Sequence, residues 1–228
     1  MATTLVGNPP AIGRASRQRE FMEAGPNPPT MSPHPPHAES PAKIRVGIIL
    51  GSTRPGRNGE AVARYVYEIA KKRSDAQFEL VDLKDYPLPL LDDPIPPSAG
   101  QPRPPHAKAW AEKVASLDAY VFVTPEYNHS TSGVLKNAID YLYQEWNNKA
   151  AGFVSYGSAG GVRAVEHLRG IMAEVQVATV RAQAFYSIFT DFENFSKFKP
   201  DPVKEPSVTT MLDQLVAWGR ALKTLRSP

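Results

Sequence analysis

From Lys43 onward, apolar runs of strand length alternate with amphipathic stretches of helix length, and this βα series predicts an α/β fold built on a parallel sheet. Two further observations sharpen the prediction. Runs such as Val46, Gly47, Ile48, Ile49 and Leu50 are apolar on both faces, as a sheet covered by helices on each side requires. There are about five of them, which suggests a doubly wound sheet of order 2-1-3-4-5. A chain of 228 residues accommodates one such domain and a tail.

Residues 1–42 are crowded with Pro, Gly, Ser and small polar residues and show no apolar period. They cannot bury enough surface to offset the entropy of ordering, so the sequence predicts a disordered Pro-rich tail followed by a domain over 43–228. Met22 and Met31 precede the first core strand and leave a later translation start open. Strands are expected near Ile44 to Leu50, Gln77 to Leu83, Ala119 to Thr124, Ala151 to Tyr156 and Val177 to Ala184. Helices are expected near Gly59 to Arg73, Ala107 to Leu117, Thr131 to Tyr143, Val162 to Ala173 and Ser207 to Thr224. The Pro-rich connection Asp85 to Pro105 is long enough to rim a site, although a rigid surface connection is the plainer reading. A second irregular stretch, Asp191 to Pro206, carries Phe192, Phe195 and Phe198, which argues for packing on the domain or on a partner subunit.

The chain has no cysteine, which excludes disulfides, thiolate nucleophiles and cysteine metal sites together. Redox chemistry must then come from a bound cofactor, and no metal site is predicted. The net charge of +3 is spread without a long basic block, which argues against nucleic acid as a partner. No apolar stretch approaches the ~20 residues needed to span a bilayer. No signal-like run opens the chain, so the expectation is a soluble, cytoplasmic protein with no membrane partner.

Three segments carry the functional signal, and they follow the first, third and fourth strands. In order 2-1-3-4-5 those strands are neighbours, and open α/β sheets bind ligands beyond the strand ends at the switch point between strands 1 and 3. The first segment, GSTRPGRNGE from Gly51 to Glu60, can turn backbone N–H groups toward the mouth of the next helix as an anion nest. Ser52 and Asn58 can donate hydrogen bonds there, and Arg54 and Arg57 can meet a terminal phosphate with forked, charge-assisted bonds. The segment lacks the GK[ST] ending of a P-loop and is not GxGxxG. A monophosphate fits best.

The second segment, TPEYNHSTSGVLKNAIDYL from Thr124 to Leu142, has Pro125 to stop the strand ladder. Glu126, Tyr127 and Asn128 could present polar groups to the edge of a flat heterocycle, with Tyr127 also offering a ring face. Asn137 and Asp140 read as caps or internal hydrogen bonds. His129 is the tempting residue, but a lone histidine beside a loop is more often exposed or simply hydrogen-bonded. The third segment, SYGSAGGVRAVEHL from Ser155 to Leu168, has Gly157, Gly160 and Gly161 to permit close backbone approach to a ring. Arg163 and His167 follow on the helix.

Taken together, the three segments resemble the NAD(P)H-dependent FMN reductase family over roughly Ile44 to Ala184, with PEYN followed by GVLKNAID as the most specific part. The resemblance implies a flavodoxin-like fold. It also implies FMN as cofactor, with the phosphate at Ser52, Arg54, Arg57, Asn58 and Gly59. Pro125, Glu126, Tyr127 and Asn128 would line the isoalloxazine, with Ser158, Gly160 and Gly161 closing the site. Many family members have serine where Arg57 stands and asparagine where Gly59 stands, and Ser132 replaces a common proline. The chemistry belongs to the flavin, so no catalytic side chain is assigned.

The activity so implied is a ping-pong reaction in which NADPH or NADH gives hydride to FMN and leaves. A small-molecule acceptor such as a flavin, quinone or azo compound then takes the electrons from the same face. A flavodoxin-like electron carrier serving a protein partner is the alternative, disfavoured because such carriers usually dock through an acidic face. A flavin-binding regulatory protein is a third. Tyr141, Tyr143, Trp146 and the loop around Phe195 predict a homodimer or a dimer of dimers, since aromatics are enriched at interfaces.

Overall fold

The apolar runs become the strands expected of them. In the computed structural model of the protein, which describes residues 43–100 and 102–226, five strands lie in one parallel sheet. They are β1 (Ile44–Leu50), β2 (Ala76–Asp82), β3 (Ala119–Pro125), β4 (Lys149–Gly157) and β5 (Val177–Ser187), in the order β2-β1-β3-β4-β5. The helices are α1 (Gly59–Ala70), α2 (Pro105–Ala115), α3 (Gly133–Asp140), α4 (Val162–Glu174) and α5 (Glu205–Lys223). The expectation of a disordered tail over 1–42 lies outside the described residues.

Alternation along β1 splits the core into two layers. Ile44, Val46, Ile48 and Leu50 face α1 and α5, meeting Val62, Val66, Met211 and Leu215. Ile49 joins Phe122 and Phe153 on the other face, beneath Trp110 of α2, Leu135 and Ile139 of α3 and Leu168 of α4. Burying a side chain such as Phe122 or Phe153 is worth about 1.5–3 kcal/mol, and both faces are filled this way. The sheet is therefore fixed against slippage, because a one-residue shift would exchange the two layers.

Three of the differences from the sequence reading have a clear physical cause. The third helix is shorter than Thr131 to Tyr143, covering only Gly133–Asp140. Ser132 caps its start by accepting from Leu135 N at 3.2 Å. Its last carbonyls are taken by indoles, with Trp110 Nε1 donating to Ala138 O at 2.7 Å and Trp146 Nε1 to Ile139 O at 3.1 Å. The first satisfies a carbonyl that the helix end leaves open, and the second adds to the Leu142 N–H already bonded to Ile139 O at 3.2 Å. They also correct one motive for a dimer, since Trp146 and Tyr141 are buried in the core of this chain.

The second difference is that β4 begins two residues early, at Lys149, whose charge hides it from an apolar pattern. Lys149 is buried and its Nζ donates to Val114 O at 2.7 Å and Ala115 O at 3.2 Å, capping the C-terminus of α2. The third is in the irregular stretch after β5, which contains a small antiparallel hairpin of β6 (Phe192–Glu193) and β7 (Lys197–Phe198). Phe192 and Phe198 turn inward onto Tyr186 and Tyr156, while Phe195 is exposed.

The long Pro-rich crossover runs over the surface and is tied to the domain by side chains. Asn137 holds it at two points, donating to Pro89 O at 2.7 Å and accepting from Leu91 N at 3.0 Å. Arg103 pins its far end to Glu145 through two bonds of 2.9 and 2.7 Å. Among the described residues no helix is long and apolar enough to cross a membrane.

Candidate functional site

The sheet order puts the loops after β1, β3 and β4 side by side at the carboxyl edge, and a cleft of about 400 Å³ opens between them. That is within the range of small-ligand sites. Its lining takes Arg54, Arg57 and Asn58 from the first loop, Pro125, Glu126 and Tyr127 from the second, and Ser158 from the third. Ser52, Gly59, Asn128, Gly160 and Gly161 are not among the lining residues. The sequence reading missed Tyr156, next to the glycine-rich turn, and Ile188 and Phe195 on the wall formed by the segment after β5.

The first loop is drawn back onto the sheet. Gly51 N donates to Val123 O at 2.8 Å, and a Cβ at Gly51 would lie 2.8 Å from that same oxygen, so the close crossing from β1 to β3 demands glycine. Gly56, at φ +65°, makes the left-handed turn that follows. Arg57 borders the cleft, but its guanidinium is turned inward. Its Nη1 donates to Ser52 O at 2.6 Å and to Asp82 Oδ1 at 2.7 Å, its Nη2 pairs with Asp82 Oδ2, and its side chain is only 4 % exposed. Burial alone would raise the Asp82 carboxyl, but Arg57 and the Lys84 N–H hold it below the usual carboxylate range. The forked contact expected of Arg57 toward a phosphate is thus directed at a carboxylate of the protein.

The neighbouring residues are engaged in the same fashion. Ser52, almost fully buried, shares a 2.9 Å hydrogen bond with the Tyr127 hydroxyl. Asn58 leaves the start of α1 without a side-chain cap and instead donates to Phe195 O at 2.9 Å. A Cβ at Gly59 would come within 2.6 Å of the Tyr156 hydroxyl, so glycine lets that ring close the floor of the cleft. Arg54 is different. It is exposed, lines the cleft, and carries its guanidinium 5.5 Å from the centre of the Tyr127 ring.

The second and third loops are tied to each other. Glu126 N extends the β3–β4 ladder by donating to Tyr156 O at 3.1 Å. Its carboxylate, 4 % exposed, accepts from Arg163 N at 3.3 Å and pairs with the Arg163 guanidinium. The start of α4 is therefore capped by an anion, whereas α1 has no side-chain cap and the Glu60 in its first turn is bonded to Arg64. Tyr127 and Ser130 exchange backbone bonds of 2.9 and 3.2 Å around Asn128 and His129, both at positive φ, closing a tight hairpin. His167 Nδ1 lies 2.9 Å from Ser130 Oγ, and its ring sits 6.0 Å from that of His129. Gly160 and Gly161 both have positive φ, and a Cβ on Gly161 would fall 2.7 Å from Ser155 Cβ and 2.8 Å from Tyr156 N.

A flat heterocycle with a phosphate arm fits what is present. The first loop offers a helix start with no side-chain cap and the Arg54 guanidinium, which has no ion pair among the described residues. Beside them the cleft offers the Tyr127 ring and the backbone at Gly157.

Comparison with known proteins bears on the family and the fold. Residues 44–191 match the model of the NADPH-dependent FMN reductase family. An NAD(P)H-dependent FMN reductase of Schizosaccharomyces pombe is 40 % identical over 129 residues, covering 56 % of this chain and 64 % of that protein. An NAD(P)H:quinone oxidoreductase of Solanum tuberosum is 33 % identical over 165 residues, covering 70 % of this chain and 82 % of its own. The flavoenzyme FerB of Paracoccus denitrificans, an NAD(P)H:acceptor oxidoreductase, shares the fold with a TM-score of 0.61 at 21 % identity, covering 78 % of this chain and 98 % of that one. With its flavodoxin-like sheet order and its match over β1 to the end of β5, the chain belongs to the NADPH-dependent FMN reductase family.

Proposed function

We propose that the protein is an NAD(P)H-dependent reductase that acts through FMN held in this cleft and passes electrons to a small acceptor by a ping-pong reaction. The observation that carries the reading is the asymmetry of the two helix starts at the cleft. Glu126 caps the start of α4, while α1 begins with no side-chain cap beside Arg54, its own first-turn Glu60 being bonded to Arg64 and outside the cleft lining. An anionic phosphate is drawn to the second of these, by partial positive charge and a charge-assisted fork together. The neighbouring part of the lining, with Tyr127, Pro125, Gly157 and Ser158, is left for the ring.

When bound, FMN supplies the two-electron chemistry, accepting hydride from NADH or NADPH and returning it to the acceptor. The chain's own residues bind and orient. Arg54 with the first-loop backbone holds the phosphate end, and the Tyr127 ring and the glycine-lined turn flank the heterocycle. One cleft has to serve donor and acceptor in turn, which is the basis for ping-pong. Flavins, quinones and azo compounds are the acceptors proposed, and the potato relative is named for quinones.

A homodimer or dimer of dimers is part of the proposal. It rests on Phe185, Phe189 and Phe195, which are 48, 64 and 60 % exposed on and after β5. Light scattering tests it, and a particle of one chain at micromolar concentration would refute it. A cytoplasmic location is proposed because the reaction consumes NAD(P)H, and cell fractionation checks it.

The activity is tested by taking the visible spectrum of purified protein, identifying the released chromophore, and following its reduction by each nucleotide. Parallel initial-rate lines with NAD(P)H and a quinone are expected. Intersecting lines would remove ping-pong, and a protein that binds no FMN would remove the reading altogether.

A further inference from the structure

We infer that Arg57 and Asp82 form a positioning pair that shapes the phosphate loop from behind, so that Asp82 on β2, though it lines no part of the cleft, sets flavin affinity. This rests on the proposed FMN site. Arg57 leaves the loop at its far side and returns to the ends of two adjacent strands, bonding Ser52 O just past β1 and both oxygens of Asp82 at the end of β2. A planar guanidinium can make those contacts together, whereas an ammonium presents a single point charge. The pair closes the chain from Ser52 to Arg57 into a ring on the sheet, with Gly56 at its turn.

The charges point the same way. Asp82 holds the Arg57 guanidinium by a two-pronged ion pair, and Glu60 lies 3.8 Å from Nη2. A cation so neutralised, with a side chain 4 % exposed, offers little field to an incoming phosphate. Removing its partner would release it, and this separates positioning from direct contact. If Arg57 were a ligand restrained by Asp82, freeing it would leave affinity intact or raise it. If Arg57 shapes the loop, loss of either partner slackens the same ring and lowers affinity in the same direction.

The experiment compares wild type, Arg57→Ala, Asp82→Asn and the double variant, with Arg57→Lys and Asp82→Glu as milder forms. Each is titrated with FMN and with riboflavin by flavin fluorescence, beside a melting curve. Both single variants are expected to lose roughly tenfold in FMN affinity. The double variant should be little worse than either single, because the two act as one unit. Riboflavin, lacking the phosphate, should bind all of them nearly alike, a distinction that general loss of stability would not produce. Arg57→Lys should recover only part of the loss. An Asp82→Asn protein binding FMN as tightly as wild type would overturn the inference, as would an equal loss for FMN and riboflavin. If Asp82→Asn fails to fold, Asp82→Glu and Arg57→Lys carry the same comparison. A wild type that binds no flavin would instead count against the proposed function.

Discussion

The carboxylate of Glu126, at the end of β3, sits on the backbone N–H and the side chain of Arg163, in the first turn of α4. A glutamate that sequence reasoning places on the flavin edge is thereby a cap, joining two of the three cleft loops. Negative charge at a helix start is stabilising, and here it is almost fully buried.

Glu126→Gln keeps the shape and removes the charge. It should cost about 1–2 kcal/mol, the range for a charge-assisted hydrogen bond at a helix start. The urea midpoint should fall at unchanged slope, and a midpoint equal to wild type would show that the charge is immaterial.

Gly59→Ala tests the close approach of Tyr156. At a helix position, exchanging glycine for alanine ordinarily stabilises by about 0.5–1 kcal/mol. Here the added Cβ would meet the Tyr156 hydroxyl at 2.6 Å, so the sign should reverse. Tyr156→Phe removes the offending oxygen, and the double variant should recover most of the loss in thermal stability.

Trp146→Ala addresses the core against the interface. The indole is fully buried and hydrogen-bonded within the chain. Truncation should therefore cost about 3–5 kcal/mol and leave the association state, read by sedimentation, as in wild type. Dissociation without loss of protomer stability would return Trp146 to an interface.

Lys149 gives the pH dependence. Burial, with repulsion from Arg226, pulls its pKa down from 10.5 to about 7. The folded pKa lies below the unfolded one, so between pH 7 and 10.5 the unfolded chain holds more protons, and stability rises with pH. The slope has a ceiling of about 1.4 kcal/mol per pH unit. Denaturation at pH 6.5 and 9 should show the rise in wild type and not in Lys149→Met. That variant should also be the less stable at pH 9, because two carbonyls of α2 lose their donor.

Reading the sequence located the sheet because a strand buried on both faces writes an unbroken apolar run, as from Val46 to Leu50. It failed at Lys149, where a charged residue is buried by capping a helix. It found all three cleft loops, since glycine and polar clusters after strands mark them. What it could not supply was direction. Arg57, Asn58 and Glu126 are the residue types that hold phosphates and ring edges, yet each faces a partner remote in the chain, at Asp82, Phe195 and Arg163. The Phe195 wall was illegible for the same reason, because it depends on a hairpin with two pairs of partners.

The ties around the cleft also have a consequence in time. Arg57 to Asp82 spans 25 positions, Glu126 to Arg163 37, Ser52 to Tyr127 75, and Asn58 to Phe195 137. Contacts so distant along the chain close only after the intervening strands have found their places, since each must first overcome the entropy of a large loop. In a refolding experiment the far-ultraviolet signal should return ahead of the capacity to quench flavin fluorescence. The cofactor then acts as an inspector of finished molecules, and a half-built chain, however helical, passes it by.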